Sequence, residues 1–343
     1  MGGCGLALSD NKEVCWSHTT GEEAKLSTAA ESSQARVPET SSRLASEPVN
    51  PMPPASHPLR FRLEYAAFWV VAKLASALPL ELCATASAWC WRRLGRFSSR
   101  RRRAAMQLAE SLPELDVRER EAVLSQVWDN LGRTFAEAFH IRDFIENPSR
   151  FEILRETALR EFAGSTKAFI IVSLHSANWE LTALGLLRAG LRIAGIYRTI
   201  KNPYVDAYVT RLRQPLYPSA LLPKSRQTPR RFLKLMRQGV PVAMLCDLRE
   251  VRGVEVPFFG RPAPSTSFPA LLAVADGLPI LIVRTLRQPR SRFSFEWKVL
   301  QPVRGGASRE DDVRATTALI QSCFEEWVRE RPGEWMWVHR RWG

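Results

Sequence analysis

The sequence is poor in the marks of many enzyme classes. Its five histidines include no HExxH, and its six cysteines form no CxxC or zinc-type spacing, so no metal centre is expected. Two of those cysteines, Cys83 and Cys90, lie in an apolar stretch, where the thiol acts as a small hydrophobe. Nothing resembles a disulfide framework, and a reducing compartment is favoured. GxSxG, GxxxxGK and GxGxxG are all missing, which disfavours a serine-elbow hydrolase and nucleotide chemistry. No cationic start followed by an apolar run marks a secretory signal. Met1-Gly2-Gly3-Cys4 hints at lipidation, but Leu6 stands where the myristoylation pattern has Ser or Thr.

Acids are the minority charge, 35 against 49 Lys and Arg, for a net +14 over 343 residues. The excess is uneven. Residues 1–57 carry four basic and seven acidic residues, which leaves +17 on the remainder. Such a body seeks polyanions: nucleic acid, anionic head groups or an acidic protein. Residues 1–57 are rich in Ser, Thr, Glu and Ala and close on Pro51-Met52-Pro53-Pro54. Without hydrophobic periodicity they read as a disordered tail. A chain that properly starts at Met52 is the equal alternative.

Residues 63–91 are the most apolar stretch, yet Lys73 and Glu81 interrupt them and Pro79 would bend them. A clean span needs roughly 20 apolar residues, and this stretch falls short. Aromatic residues cluster at both ends (Tyr65, Phe68, Trp69; Trp89, Trp91), as interfacial anchors do. Seven arginines follow within residues 92–103. Residues 58–103 are therefore expected to attach the protein to anionic lipid on a cytoplasmic face. The competing soluble reading is a buried helical hairpin with a basic turn. Arginines beside an apolar segment, without a recognition motif, argue against nucleic acid.

Beyond this segment the pattern alternates, and residues 104–343 read as one domain without internal repeats. Asp116 and Glu119 form a capping box ahead of Leu124, Val127, Trp128, Leu131 and Phe135 at helical spacing. Short apolar runs at 168–174, 191–197, 240–246, 279–286 and 293–300 predict strands. Helices are expected at 179–187, 205–213, 228–238, 270–275 and 311–330. The fold class is α/β: a mostly parallel central sheet with helices on both faces, preceded by a membrane-associating helical segment.

The most informative hexapeptide is His175-Ser176-Ala177-Asn178-Trp179-Glu180, between a predicted strand and a predicted helix. Open α/β sheets place ligands at such carboxyl ends. On one ideal helix, five residues rotate roughly 500°, so His175 and Glu180 can meet only across a turn. An imidazole oriented by a carboxylate is a general base for an alcohol proton. Asn178 or Ser176 can cap the helix, and its first N–H groups are candidates to stabilise an oxyanion. A base without a nucleophile suits direct transfer from an activated donor, such as a thioester, to a hydroxyl. Asp247 and Arg249 follow another predicted strand and could line the same cleft or pair with each other.

The hexapeptide is followed, in order, by Tyr197-Arg198 with Asn202-Pro203, by Asp247, by Val256-Pro257-Phe258-Phe259-Gly260-Arg261-Pro262, and by Trp337-Val338-His339-Arg340-Arg341. From about residue 60 onward this set resembles the lipid A late acyltransferases, the lauroyl and myristoyl transferases within the lysophospholipid acyltransferase superfamily. Leu248 follows Asp247 where that family usually has Gln. The resemblance implies a membrane-associated acyltransferase at the cytoplasmic face of the inner membrane. It would move a fatty acyl chain from acyl carrier protein to a hydroxyl of a lipid A precursor, with no cofactor. His175 would be the base and Glu180 its orienting partner, while Arg198, Asn178, Asp247 and Arg261 would serve substrate binding. The Phe258–Arg261 loop would wall the cleft or plug the core, and His339-Arg340-Arg341 would meet head groups or solvent. The rivals are an acyltransferase acting on another glycolipid or lysophospholipid, and a non-catalytic binder of anionic membranes.

Overall fold

The computed structural model describes residues 58–343 except Lys167. The expectations for residues 1–57 lie outside the described residues.

The apolar stretch forms two helices, α1 (Leu59–Ala77) and α2 (Leu80–Gly95), divided at Pro79. Proline lacks the N–H a continuing helix needs, and it disfavours helical backbone at the residue before it. No helix among the described residues is long and apolar enough to cross a membrane. The arginine run opens α3 (Ser99–Ser111), whose N-cap Ser98 accepts a hydrogen bond from the Arg100 amide. The predicted capping box is present: α4 (Val117–Glu137) starts with reciprocal Asp116 and Glu119 contacts. α2 packs along α4 at close range, because Gly132 brings its backbone against Ala88.

The remaining elements alternate: α5 (Ile141–Glu146), β1 (Phe151–Ile153), α6 (Glu156–Ser165), β2 (Ile170–Ser173), α7 (Leu181–Arg188), β3 (Ala194–Tyr197), α8 (Pro203–Arg213), β4 (Ala220–Pro223) and α9 (Thr228–Arg237). Then come β5 (Val242–Leu245), a hairpin of β6 (Val254–Phe258) and β7 (Arg261–Ser265), α10 (Phe268–Asp276), β8 (Ile280–Gln288), β9 (Arg292–Leu300) and α11 (Arg309–Glu330). Seven strands form one sheet in the order β1-β9-β8-β2-β5-β3-β4. Strands β1 and β9 run against the other five, so the sheet is mixed and mostly parallel, as expected.

All four residues of β2 are buried, which explains an unbroken apolar run where a one-sided sheet would alternate. The period of two still sorts them. Ile170 and Val172 join the core shared with α3, α4, α9, α10 and α11, while Ile171 faces the core shared with α5, α6 and α7. Helices thus cover both faces.

Sequence reading missed α5, β1, α6, β4 and the hairpin. Strands β1 and β4 are only three and four residues long, and β6 and β7 carry Pro257, Pro262 and Pro264, which argue against a strand. The hairpin tolerates them as an isolated pair, closed by Phe259 and Gly260, both at positive φ. Two consecutive positive φ angles are what a two-residue primed turn requires.

Candidate active site

The register of the sheet builds the site. β2 and β5 pair in parallel with Ser173 beside Leu245, and two residues further along each strand come His175 and Asp247. Both therefore reach the carboxyl edge of the sheet as neighbours. Asp247 is fully buried and accepts three hydrogen bonds. One comes from the His175 amide (2.9 Å), one from its Nδ1 (2.8 Å) and one from Trp335 Nε1 (2.8 Å). Burial alone would raise the Asp247 carboxyl pKa, but the adjacent imidazole and the three donors outweigh it, and the pKa lies below the ordinary carboxylate value. With Nδ1–H donated to Asp247, the tautomer leaves Nε2 as a proton acceptor. No hydrogen bond occupies Nε2 among the described residues, the His175 side chain is partly exposed, and the Trp179 ring lies 5.3 Å away.

The turn after His175 is held from two sides. Ala177 sits at φ +48, a left-handed conformation that non-glycine residues rarely adopt. Its carbonyl accepts from Asn130 Nδ2 and Thr134 Oγ1 on α4, and its amide donates to the Glu334 carbonyl. The Met336 amide donates to the His175 carbonyl, so the C-terminal segment clasps the same turn. Strain that persists needs such over-determined surroundings.

The expected contact between His175 and Glu180 is not made. The left-handed turn at Ala177 sends the chain away, and the Glu180 carboxylate pairs with Arg213 of α8 at 2.7 Å and accepts from Trp179 Nε1 at 3.2 Å. Asn178 is buried too. Its Oδ1 accepts from the Glu180 amide and its Nδ2 donates to Glu137, the fully buried partner of Arg287. That arrangement holds α4 to the sheet and leaves Asn178 no route to a ligand. Arg261 differs from expectation as well: it pairs with Glu110 of α3 at 2.6 Å and lies over the Trp342 ring. Phe258 and Phe259 are buried among Trp335, Trp337 and Trp342, so the loop fills the core.

Arg198 follows β3 and is exposed, without an ion-pair partner among the described residues. Since β3 is the second neighbour of β2, it stands about 10 Å along the rim from His175 at normal strand spacing. Arg249 is half-buried, and its Nε has no hydrogen-bond partner among the described residues. Trp335, which donates to Asp247, is a residue that sequence reasoning missed. An indole within a Trp-rich end was the visible signal, but its target is fixed only by folding.

Residues 54–343 match the family model described as bacterial lipid A biosynthesis acyltransferase. The chain belongs to that family. A relative, the lipid A biosynthesis lauroyltransferase of Escherichia coli (strain K12), is 25% identical over 256 residues, covering 72% of this chain and 80% of its own length. Membership makes the chain one of the acyltransferases, and the motifs that carried the resemblance all lie inside the matched region.

Proposed function

We propose that the protein transfers a fatty acyl chain from an acyl carrier protein thioester to a hydroxyl of a lipid A precursor, at the cytoplasmic face of the inner membrane. The observation that carries this reading is His175 held through Nδ1 by buried Asp247, with Nε2 open at the carboxyl edge of the sheet. Nε2 takes the hydroxyl proton as the acceptor oxygen attacks the thioester carbonyl. The C–S bond of the resulting tetrahedral adduct then breaks, the new ester forms, and the imidazolium returns the proton to the thiolate. Buried Asp247 stabilises the imidazolium in between. Its role is thus the one the sequence suggested for Glu180, while Glu180 acts as a positioning residue between the turn and α8.

The basic body, +17 outside the first 57 residues, suits an acidic carrier protein and a phosphorylated acceptor, with Arg198 as one contact to the latter. Membrane association is supported by the exposed apolar side chains of α1, α2 and the turn after them, among them Leu63, Val70, Leu74, Trp89, Leu94 and Phe97. Phe97 is 84% exposed. Exposed apolar side chains in such number are what a protein or membrane interface carries, and helices too short to span would lie in the interfacial plane.

The test is direct. Purified protein is incubated with a lipid A precursor and a panel of acyl-carrier thioesters, and the products are weighed. A mass gain of one acyl chain on the precursor is expected. Acylation of a lysophospholipid in preference to the precursor would overturn the acceptor, and no transfer to any lipid would overturn the reaction.

A further inference from the structure

The face of α3 that meets the C-terminal segment carries Arg100, Arg103 and Gln107, spaced three and four residues apart. Gln107 is a clamp: its Nε2 donates to the carbonyls of Trp337 (2.7 Å) and His339 (2.8 Å), and its Oε1 accepts from the Arg341 amide (2.8 Å). Arg103 adds a long contact from Nη1 to the Val338 carbonyl, 3.4 Å. The same segment is bonded to the turn of the base through Met336 and to Asp247 through Trp335. Arg103 and Gln107 are thus tied to the same C-terminal segment that is bonded to His175.

Several basic side chains of this part of the molecule have an acidic partner. Arg92 pairs with Asp129, Arg101 with Glu121, Arg213 with Glu180 and Arg261 with Glu110. Arg100 and Arg103 are in no ion pair among the described residues, and His339 beside them is exposed. Partial desolvation, then the positive fields of His175, Arg100 and Arg103, hold the His339 pKa below its ordinary value. Asp247 opposes them, but its charge is buried and already bonded to His175 and Trp335. Three cationic or protonatable groups thus converge beside the base without a free counter-charge. Such a cluster repels itself and favours an anion.

We infer that Arg100, Arg103 and His339 form a binding site for a phosphate monoester on the acyl acceptor, next to His175 and separate from Arg198. This rests on the acyl-transfer reading above for the identity of the acceptor, but not for the anion. The charge count favours the acceptor over the donor. A phosphate monoester carries close to two negative charges at neutral pH, whereas the phosphodiester of a carrier's pantetheine arm carries one. That arm also separates its phosphate from the reacting thioester by a long flexible chain. Two guanidiniums can grip a monoester by bidentate bonds, and His339 can add a third donor when the anion restores its proton.

The experiment uses full-length protein with isotope-labelled histidine in detergent. Its imidazole resonances are followed as glucose 1-phosphate (a monoester) or dimethyl phosphate (a diester) is added. The monoester should shift His339 and bind at least tenfold more tightly than the diester. The double variant R100Q/R103Q should lose at least tenfold in monoester affinity. R100K/R103K, which keeps the charge but loses the planar fork, should retain only part of it, and R118Q on the exposed start of α4 should match the unsubstituted protein. In turnover, R100Q/R103Q should raise KM for a phosphorylated acceptor and leave the donor KM and the use of a dephosphorylated acceptor unchanged. Unaltered monoester binding by R100Q/R103Q would overturn the site. Equal diester binding, or a KM effect confined to the donor, would overturn its assignment to the acceptor. Monoester binding at His339 without acyl transfer would instead refute the proposed reaction and leave the anion site standing.

Discussion

At the scale of single residues, the deciding contact is the one between His175 and Asp247. The motif spacing directs attention to Glu180, yet that carboxylate is occupied by Arg213. The two acids therefore have different expected phenotypes. Asp247→Asn removes the charge that stabilises the imidazolium and can present the wrong hydrogen-bond partner to Nδ1. Turnover should fall about 10²–10⁴-fold, as for His175→Ala, with substrate binding largely kept. Glu180→Gln leaves the base oriented and breaks a mostly buried ion pair. Its main effect should be a stability loss of about 1–3 kcal/mol, with turnover reduced less than tenfold. Steady-state kinetics beside urea unfolding would separate the two, and a larger turnover loss in Glu180→Gln than in Asp247→Asn would return the orienting role to Glu180. A pH dependence follows as well. The Asp247 pKa is lowered on folding from a reference value of 3.8, so the unfolded chain binds its proton more readily than the folded one. Its stabilisation is present above that reference and is lost as pH falls through the folded value. Urea midpoints should decline below about pH 4, and Asp247→Asn should flatten that part of the curve.

At the scale of elements, α4 is the beam on which both the turn after His175 and α2 rest. It holds Ala177 through Asn130 and Thr134, and it receives α2 at Gly132. A Cβ added at Gly132 would lie 2.7 Å from the Ala88 Cα, and backbone cannot give way as a flexible side chain would. Gly132→Ala should cost about 1–3 kcal/mol and raise amide exchange in α2 before it does so in the sheet. Uniform exchange across the molecule would show that α2 is not separately held. The Glu137–Arg287 pair ties the same helix to the sheet next to Asn178. Glu137→Gln should destabilise by about 3–5 kcal/mol, because it leaves the Arg287 charge poorly compensated in the interior. Replacing both members with apolar residues of similar volume should recover part of that loss, measured by urea unfolding.

For the whole molecule, the apolar helices α1 and α2 and the arginines after them lie next to each other in sequence but divide their work in space. Arg92 and Arg101 are neutralised by Asp129 and Glu121, Arg103 reaches the C-terminal segment, and Arg93 lies over Trp89. Fewer arginines than the sequence count suggests are free for lipid. Flotation on vesicles containing anionic lipid should therefore depend mainly on apolar area. Replacing Leu63, Val70 and Leu74 with Gln should weaken partitioning at both low and high salt. Replacing Arg96 and Arg102, both exposed, with Gln should weaken it mostly at low salt, by about 1 kcal/mol per residue near a charged surface. A salt-independent loss in the arginine variant would place its effect on folding.

The sequence by itself determined the local and the periodic. Apolar runs marked the strands β2, β3, β5, β8 and β9, Asp116 and Glu119 marked the start of α4, and the ordered motifs marked the family. These are legible because side-chain period, capping chemistry and turn chemistry act over a few residues. The tertiary structure decided the partnerships. Asp247 meets His175 because β5 lies beside β2 in one register, 72 residues apart in the chain. Trp335 reaches Asp247 from the far end of the chain, and Arg213 takes Glu180 because α8 brings it to the turn after His175. Carboxylates and guanidiniums have no sequence period of their own. Their pairing is set by whichever counter-charge the sheet order brings within about 3 Å.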